Sequence, residues 1–408
     1  MFGRFLTNGL LVLAIVTLGL GAMEIGVRMT LPQTLVRDYA RPDPDLGTYI
    51  APNADYVDAY TKEGPYRVRT NAQGFRMDEE VDPSPDRLRI LVYGDSFTFG
   101  WGLESADTYF AALKTAAEKA DPAVQLLNAG VGGYSTGHVK KLLERHIPAI
   151  EPAAVIYFIN NNDLIDNVVT DIDYRVTEFA VDGTGEVRLI DVQPFSAWKR
   201  RLLNHTPYAW LNRNSHSFVL AKDQLKRALK WKRGLDRPTV GAPPQEQPAE
   251  TPNDGIDAAP AFTAQLPENK SDEQSINLMV AVTTAHMGRL IGIAREARLP
   301  LMAVWVPAEA EMFGNDEATP ERKMFDQARR ELTRLAKSTP GFFFVDTTEL
   351  IPSGWGWAKR KGTLRLSDGH FNREGAQWYA DLVRPPVLGF LRGVGFLRGV
   401  GWTRRKKN

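Results

Sequence analysis

Short apolar, β-rich runs alternate along this chain with stretches of helical character. Arg89–Tyr93 is followed by a helical stretch at 106–119, Val124–Leu127 by 138–149, and Ala154–Ile159 closes the first block. After a long gap the pattern resumes with a helical stretch at 276–298, Leu301–Val306, helix at 320–337, Phe342–Val345 and a last helix at 373–384. This order predicts an α/β fold, a parallel sheet with helices on both faces. Crossovers should be right-handed and ligands should sit at the carboxyl ends of the strands.

Composition narrows the function classes. The apolar fraction of 43% and the charged fraction of 24% are ordinary for a globular chain. Fifty basic residues against 49 acidic ones give a net charge of +1, so no global field would draw nucleic acid. There is no cysteine, which excludes disulfides, thiolate metal sites and a cysteine nucleophile, and fits an exported chain. With six histidines, a His-based mechanism has few candidates.

Residues Phe5–Met23 form one apolar run, interrupted only by Thr7, Asn8 and Thr17 and preceded by Arg4. A helix of that length spans about the hydrocarbon thickness of a bilayer. Segment 1–28 is expected to be a signal anchor, with a cleaved signal peptide as the rival because Gly19, Gly21 and Ala22 suit a cleavage site. Arg4 places the remainder outside the cytoplasm. Residues 29–87 read as an irregular lead-in. Segments 88–163 and 276–388 carry the α/β pattern, and 164–275 is an insertion too long for a βα loop. Its part from 164 to about 235 is expected to be a cap, and the proline-rich 237–269 a mobile linker. Within the cap, Trp198, Tyr208 and Trp210 are of the type that stacks on sugars, or they form a small satellite core. Residues 217–233 carry Lys222, Lys226, Arg227, Lys230, Lys232 and Arg233 against Asp223 alone. That pattern suits a solvated helix face, a membrane surface or a polyanionic substrate. Residues 389–408 are expected to be a disordered basic tail.

The chemistry centres on Gly94-Asp95-Ser96-Phe97-Thr98-Phe99-Gly100, directly after the first strand and before a helix. A serine there emerges at the carboxyl edge of the sheet, among backbone N–H groups suited to a developing oxyanion. The same serine also suits a plain helix N-cap. At these residues the chain resembles the SGNH/GDSL hydrolases. Three further blocks follow in family order. Asn128-Ala129-Gly130-Val131-Gly132-Gly133 aligns Gly133 with the family's oxyanion glycine. Asn161-Asn162-Asp163 matches the third block, with Asn160 where the family has glycine. Asp368-Gly369-His370 supplies the last, with one residue between Asp and His where two are commoner. Asn71–Arg76 also resembles a lead-in of membrane-anchored members.

A serine hydroxyl needs a neighbouring base, and His370 alone among the histidines has an aspartate two positions before it. Asp368 can take its Nδ1–H and stabilise the imidazolium. The expected catalytic set is Ser96, Asp368 and His370, with oxyanion donors from the Ser96 and Gly133 backbone and the Asn162 amide. Asp95 and Asp163 are supporting residues, Asp95 through the turn. His138, His146 and His286 are expected to be surface or packing residues, and His205 and His216 show no recognisable partner. The resemblance implies a three-layer α/β/α sandwich with flavodoxin-like strand order. It also implies an extracytoplasmic, membrane-anchored serine esterase acting on an O-acylated carbohydrate, with no metal or organic cofactor and no nucleic acid partner. An O-acyltransferase or a non-catalytic glycan-binding module would carry much the same motifs.

Overall fold

A computed structural model describes residues 2–31, 33, 35, 39–43, 45–58, 61, 64–168, 177–181, 187–191, 198, 201–202, 206–232, 272–308, 311–312, 319–352 and 363–396. Along the chain run helix α1 (Phe2–Thr30) and strands β1 (Ala40–Asp43), β2 (Gly47–Ile50), β3 (Asp55–Asp58), β4 (Tyr66–Arg69) and β5 (Leu88–Tyr93). Next come α2 (Ser96–Phe99), α3 (Tyr109–Ala120), β6 (Val124–Asn128), α4 (Thr136–Ile150), β7 (Ala154–Asn160) and α5 (Asn162–Asp166). They are followed by β8 (Thr177–Val181), β9 (Val187–Asp191), α6 (Pro207–Asn214), α7 (His216–Lys232) and α8 (Asp272–Glu296). The last are β10 (Leu301–Val306), α9 (Pro320–Ser338), β11 (Phe342–Val345) and α10 (Arg373–Gly393).

The chain divides into two compact units. One joins Met1–Asp38 to Ser196–Ala258, and the other joins Tyr39–Phe195 to Ala259–Asn408. The second unit is built on a five-stranded sheet of order β11-β10-β7-β5-β6, parallel throughout. β6, β7 and β10 are buried along their whole length, as strands covered on both faces must be. Side chains alternate between the faces. Ile90, Val92, Leu126, Ile156, Phe158 and Val304 form one core with Tyr109 and Leu113 of α3 and Tyr379, Val383 and Val387 of α10. On the other face Tyr93 meets His146 of α4, Tyr157 meets Thr136 of α4, and Trp305 meets Phe325 of α9. α8 packs on both α4 and α9. The result is the three-layer α/β/α sandwich with the flavodoxin-like order expected from the sequence.

Three segments differ from the sequence reading. The lead-in is ordered into two antiparallel hairpins, β1 with β2 and β3 with β4. Its strands are only four residues long, too short to stand out among prolines and turn residues. The last helix does not stop at 384 but runs through Pro385 and Pro386 to Gly393. The prolines remove two backbone donors, yet Val387, Phe390 and Leu391 remain buried against the sheet and hold the turn in place. β8 and β9 pair antiparallel and β9 packs on α8, whereas α7 packs against α1 in the other unit. Stretch 237–269, His205, Arg233 and residues 397–408 lie outside the described residues.

In the first unit, Thr7–Thr30 of α1 is long and apolar enough to cross a membrane, and its apolar side chains are exposed. The other helix that passes this test by length, Glu273–Glu296, is half buried and belongs to the core of the second unit. Tyr208 of α6 packs edge-on against Phe218 of α7, while Trp198 and Trp210 are largely exposed.

Candidate active site

Strand order reverses between β5 and β7, and this is where an open α/β sheet leaves a crevice at its carboxyl edge. Ser96 follows β5, and Asn160–Asp163 end β7. The turn that delivers Ser96 is tight. A Cβ on Gly94 would collide with Thr98 Oγ1 and lie 2.9 Å from the Phe158 carbonyl. A Cβ on Gly130 would come within 2.7 Å of the Phe99 nitrogen. These two glycines let the β5 turn, the β6 loop and β7 close on one another. Asp95 caps α2, its Oδ1 accepting the Phe97 N–H at 2.9 Å. Thr98 Oγ1 pairs with the Tyr109 hydroxyl at 2.6 Å and ties the short α2 to α3.

His370 reaches this serine from the far end of the chain, its Nε2 2.7 Å from Ser96 Oγ. Its other nitrogen, Nδ1, lies 3.1 Å from Asp368 Oδ1, an oblique approach off the N–H axis. The same oxygen accepts the His370 backbone N–H at 3.1 Å. Burial acts to raise the Asp368 carboxyl. The His370 ring, its charge and backbone N–H, and the Trp101 indole outweigh burial and hold the group at about 2. Ser96 and His370 are 5% and 9% exposed, so both reacting groups are nearly withdrawn from bulk water.

Gly133 lies in the turn between β6 and α4 at φ +73°. Neither its backbone N–H nor that of Ser96 has a hydrogen-bond acceptor among the described residues. Asn162 opens α5, where its Nδ2 donates to Asp166 Oδ2 at 3.2 Å while its buried Oδ1 has no partner. Asp163 is fully buried, and its Oδ2 accepts the Tyr157 hydroxyl at 2.7 Å and the Asn160 N–H at 3.0 Å. Asn160, standing where the resembled family has glycine, donates its side-chain amide to Asp95 Oδ2 at 3.1 Å. Burial raises Asp95, against hydrogen bonds from Phe97, Asn160 and Asn162 and the charge of His370. Burial, then the charge of Asp95, raises Asp163 further. The same two causes lift Asp166 to about 7.

Three more residues support the site, of which Trp101 and Arg365 carry no local sequence signal and Arg76 belongs to the Asn71–Arg76 block. Trp101 donates its indole N–H to Asp368 Oδ2 at 2.8 Å. Arg365 donates to the carbonyls of Gly369 (2.7 Å) and Pro307 (2.9 Å), with its guanidinium over the Phe97 and Phe371 rings. It thereby pins the loop that carries His370. Arg76, 3% exposed, donates to the Phe99, Gly100 and Leu103 carbonyls and supports the loop after α2. The remaining described histidines lie elsewhere. His138, His146 and His286 are buried packing residues. His146 is held to about 3 by burial, with Arg145 adding to the effect. His216 Nδ1 accepts the Gln33 N–H at 2.8 Å, a partner the sequence did not reveal. Among the described residues no group of three His, Asp or Glu side chains is placed to hold a metal ion.

No family model matches the chain, and no curated protein matches it. Solved structures are similar at low identity. TesA is 12% identical over 75% of this chain and 99% of its own, with a TM-score of 0.38. A catalytic mutant of Axe2, an acetylxylan esterase from Geobacillus stearothermophilus, is 14% identical over 78% and 100%, with a TM-score of 0.36. The psychrotrophic esterase EstA from Pseudoalteromonas sp. is 11% identical over 74% and 98%, with a TM-score of 0.37. Likenesses at this level carry none of the functional reading, which rests on the arrangement of Ser96, His370 and Asp368.

Proposed function

We propose that the chain is a serine ester hydrolase of the SGNH type, anchored by α1 with its α/β unit on the extracytoplasmic side, acting on an O-acylated carbohydrate. The observation that carries the reaction class is the 2.7 Å approach of His370 Nε2 to Ser96 Oγ, with Asp368 behind the ring. His370, neutral, takes the Ser96 proton as Oγ bonds to the ester carbonyl carbon. The ionised Asp368 stabilises the imidazolium so formed. The carbonyl oxygen becomes an oxyanion that the Ser96 and Gly133 N–H groups can receive, joined by the Asn162 amide once it turns from a carboxylate partner. Collapse expels the sugar alkoxide, which takes the proton from His370 and leaves an acyl-serine. Water, deprotonated by His370, then attacks the acyl carbon, and the carboxylic acid leaves as Ser96 regains its proton. The carbohydrate assignment rests on the exported, anchored organisation expected from the sequence.

A fluorophosphonate probe tests the reaction class. It should label the full-length protein at Ser96, with labelling lost in Ser96→Ala and strongly slowed in His370→Ala. A protein that binds glycan without labelling would overturn the hydrolase reading. Release of acid from a panel of acetylated sugars and short acyl esters would then test the substrate class.

A further inference from the structure

The apolar stretch of α1 ends at Met23, and Glu24 is the first charged residue after Arg4. At 1.5 Å per residue, Phe5–Met23 covers about 28 Å, so Glu24 marks one face of the hydrocarbon layer. Glu24 is not free there. Its Oε2 accepts the Ser215 hydroxyl at 2.8 Å and the Ser217 N–H at 3.0 Å, and its Oε1 accepts the His216 N–H at 2.8 Å. Arg28, one turn on, pairs with Glu24 and donates to the Asn214 carbonyl at 2.6 Å. The Gln33 N–H adds a bond to the His216 ring at 2.8 Å. The carboxylate thus occupies the capping position at the start of α7, where N–H groups without helical partners favour an anion. These contacts bolt the turn between α6 and α7 to the residue at which the span ends.

A hairpin held at that level meets the headgroup region, and its composition suits that place. Trp210 on α6 is 62% exposed, Leu225 on α7 is 61% exposed, and nearby Trp198 is 69% exposed. Tryptophan is favoured at membrane interfaces, where its ring is apolar and its N–H is polar. The sequence of α7 adds Lys222, Lys226, Arg227, Lys230 and Lys232 against the single acid Asp223. Basic residues beside exposed apolar ones characterise helices that lie on anionic lipid. We propose that the α6–α7 hairpin is a lipid-contacting element that seats on anionic phospholipid headgroups beside the α1 span. This rests on the reading of α1 as a membrane anchor, which the experiment tests separately.

The absence of native cysteine allows an unambiguous experiment. Single substitutions Ile15→Cys in α1, Trp210→Cys and Leu225→Cys each receive an environment-sensitive fluorophore. The full chain is reconstituted into phosphatidylcholine vesicles, with or without phosphatidylglycerol, that contain a headgroup-proximal or mid-bilayer nitroxide lipid. Position 15 should be quenched by the mid-bilayer label in both compositions. Positions 210 and 225 should be quenched by the shallow label, at least about twofold more strongly with phosphatidylglycerol. Reversing Lys226, Arg227 and Lys230 to Glu should abolish the phosphatidylglycerol effect without changing position 15. Quenching at 15 with none at 210 and 225 overturns the hairpin assignment and leaves the anchor standing. Equal quenching of the hairpin in both compositions overturns the anionic headgroup as its partner. No quenching at 15 overturns the anchor itself, and the hairpin assignment with it.

Discussion

The Trp101 indole nitrogen lies 2.8 Å from Asp368 Oδ2 and joins the loop after α2 to the loop before α10 across 267 positions of sequence. Asp368 Oδ1 already faces the backbone nitrogen and the ring Nδ1 of His370. The indole therefore holds the oxygen that His370 leaves unused and sets the plane of the carboxylate behind the ring. Trp101→Phe keeps an aromatic ring for packing on Tyr66 and His370 but removes the donor. We expect kcat/KM to fall by about tenfold or less, mostly in kcat, because substrate does not touch the indole nitrogen. The Trp101 N–H is one of the groups that depress Asp368, so its loss raises that pKa from about 2 toward the ordinary value. A group so depressed contributes stability that is present above its unfolded pKa of about 3.9 and lost as pH falls through the folded value. In Trp101→Phe that loss should be smaller and complete at a higher pH, with its onset unchanged. Urea denaturation across the acid range, compared with Asp368→Asn, measures it. Identical acid profiles for Trp101→Phe and the parent would show that the indole does not act on Asp368.

Asn162→Ala separates transition-state binding from ground-state binding. In the resting site its Nδ2 donates to Asp166 and also bonds toward Asp95, so one of these hydrogens must turn to a developing oxyanion. An interaction that strengthens only as charge develops lowers kcat and leaves KM nearly unchanged. We expect a kcat loss of about 100-fold or more, the usual effect of deleting one such donor. Steady-state kinetics on an activated ester decide it, and a rise in KM at constant kcat would place Asn162 in substrate binding instead.

The parts of this molecule that a local pattern encodes were legible in the sequence. β10 and β11 are unbroken apolar runs, and the structure places them at Leu301–Val306 and Phe342–Val345 as expected. Gly94-Asp95-Ser96 after β5 and the pair Asp368 and His370 were visible for the same reason: a turn after a strand and a carboxylate two residues from an imidazole are local features. Trp101 and Arg365 were not visible, and Arg76 stood in the Asn71–Arg76 block without its contacts being legible. Two of them bond chiefly to backbone carbonyls, and the third finds its partner hundreds of residues away. Neither relation leaves a spacing to read. The passage of α10 through Pro385 and Pro386 was hidden because tertiary burial of Phe390 and Leu391 overrides a strong local stop signal. The attachment of α7 to α1 runs largely through Glu24, which in sequence only marks the end of an apolar run.

Asp166 gives a pH signature of opposite sign to Asp368. Burial and the charge of Asp95 lift it to about 7 in the folded chain, well above an unfolded aspartate near 3.9. Between those values the folded protein retains a proton that the unfolded chain has released. Stability therefore falls as pH rises from about 4 to about 7 and levels off above. Asp166→Asn removes this dependence and keeps an oxygen for Asn162 Nδ2. The stability of the variant relative to the parent should improve steadily across that window and stay constant beyond it, as read from urea midpoints at a series of pH values. A difference that does not vary with pH would mean that Asp166 titrates normally.

Gly94→Ala tests whether the turn that presents Ser96 has any room. The added methyl would meet Thr98 Oγ1 on one side and the Phe158 carbonyl, at 2.9 Å, on the other. Thr98 cannot simply rotate away, because its hydroxyl is paired with Tyr109 at 2.6 Å inside the core between the sheet and α3. The strand must shift instead, and overpacking of this kind costs about 1–3 kcal/mol. Any shift also moves Ser96, two residues on, so activity should fall further than stability alone accounts for. Thr98→Ala removes one of the two obstacles and leaves the Phe158 carbonyl in place. The double variant Gly94→Ala with Thr98→Ala should therefore recover part of the stability lost in Gly94→Ala, measured against Thr98→Ala alone in a double-mutant cycle. Strict additivity of the two substitutions would show that the methyl is accommodated without touching Thr98, and that the glycine is there for another reason.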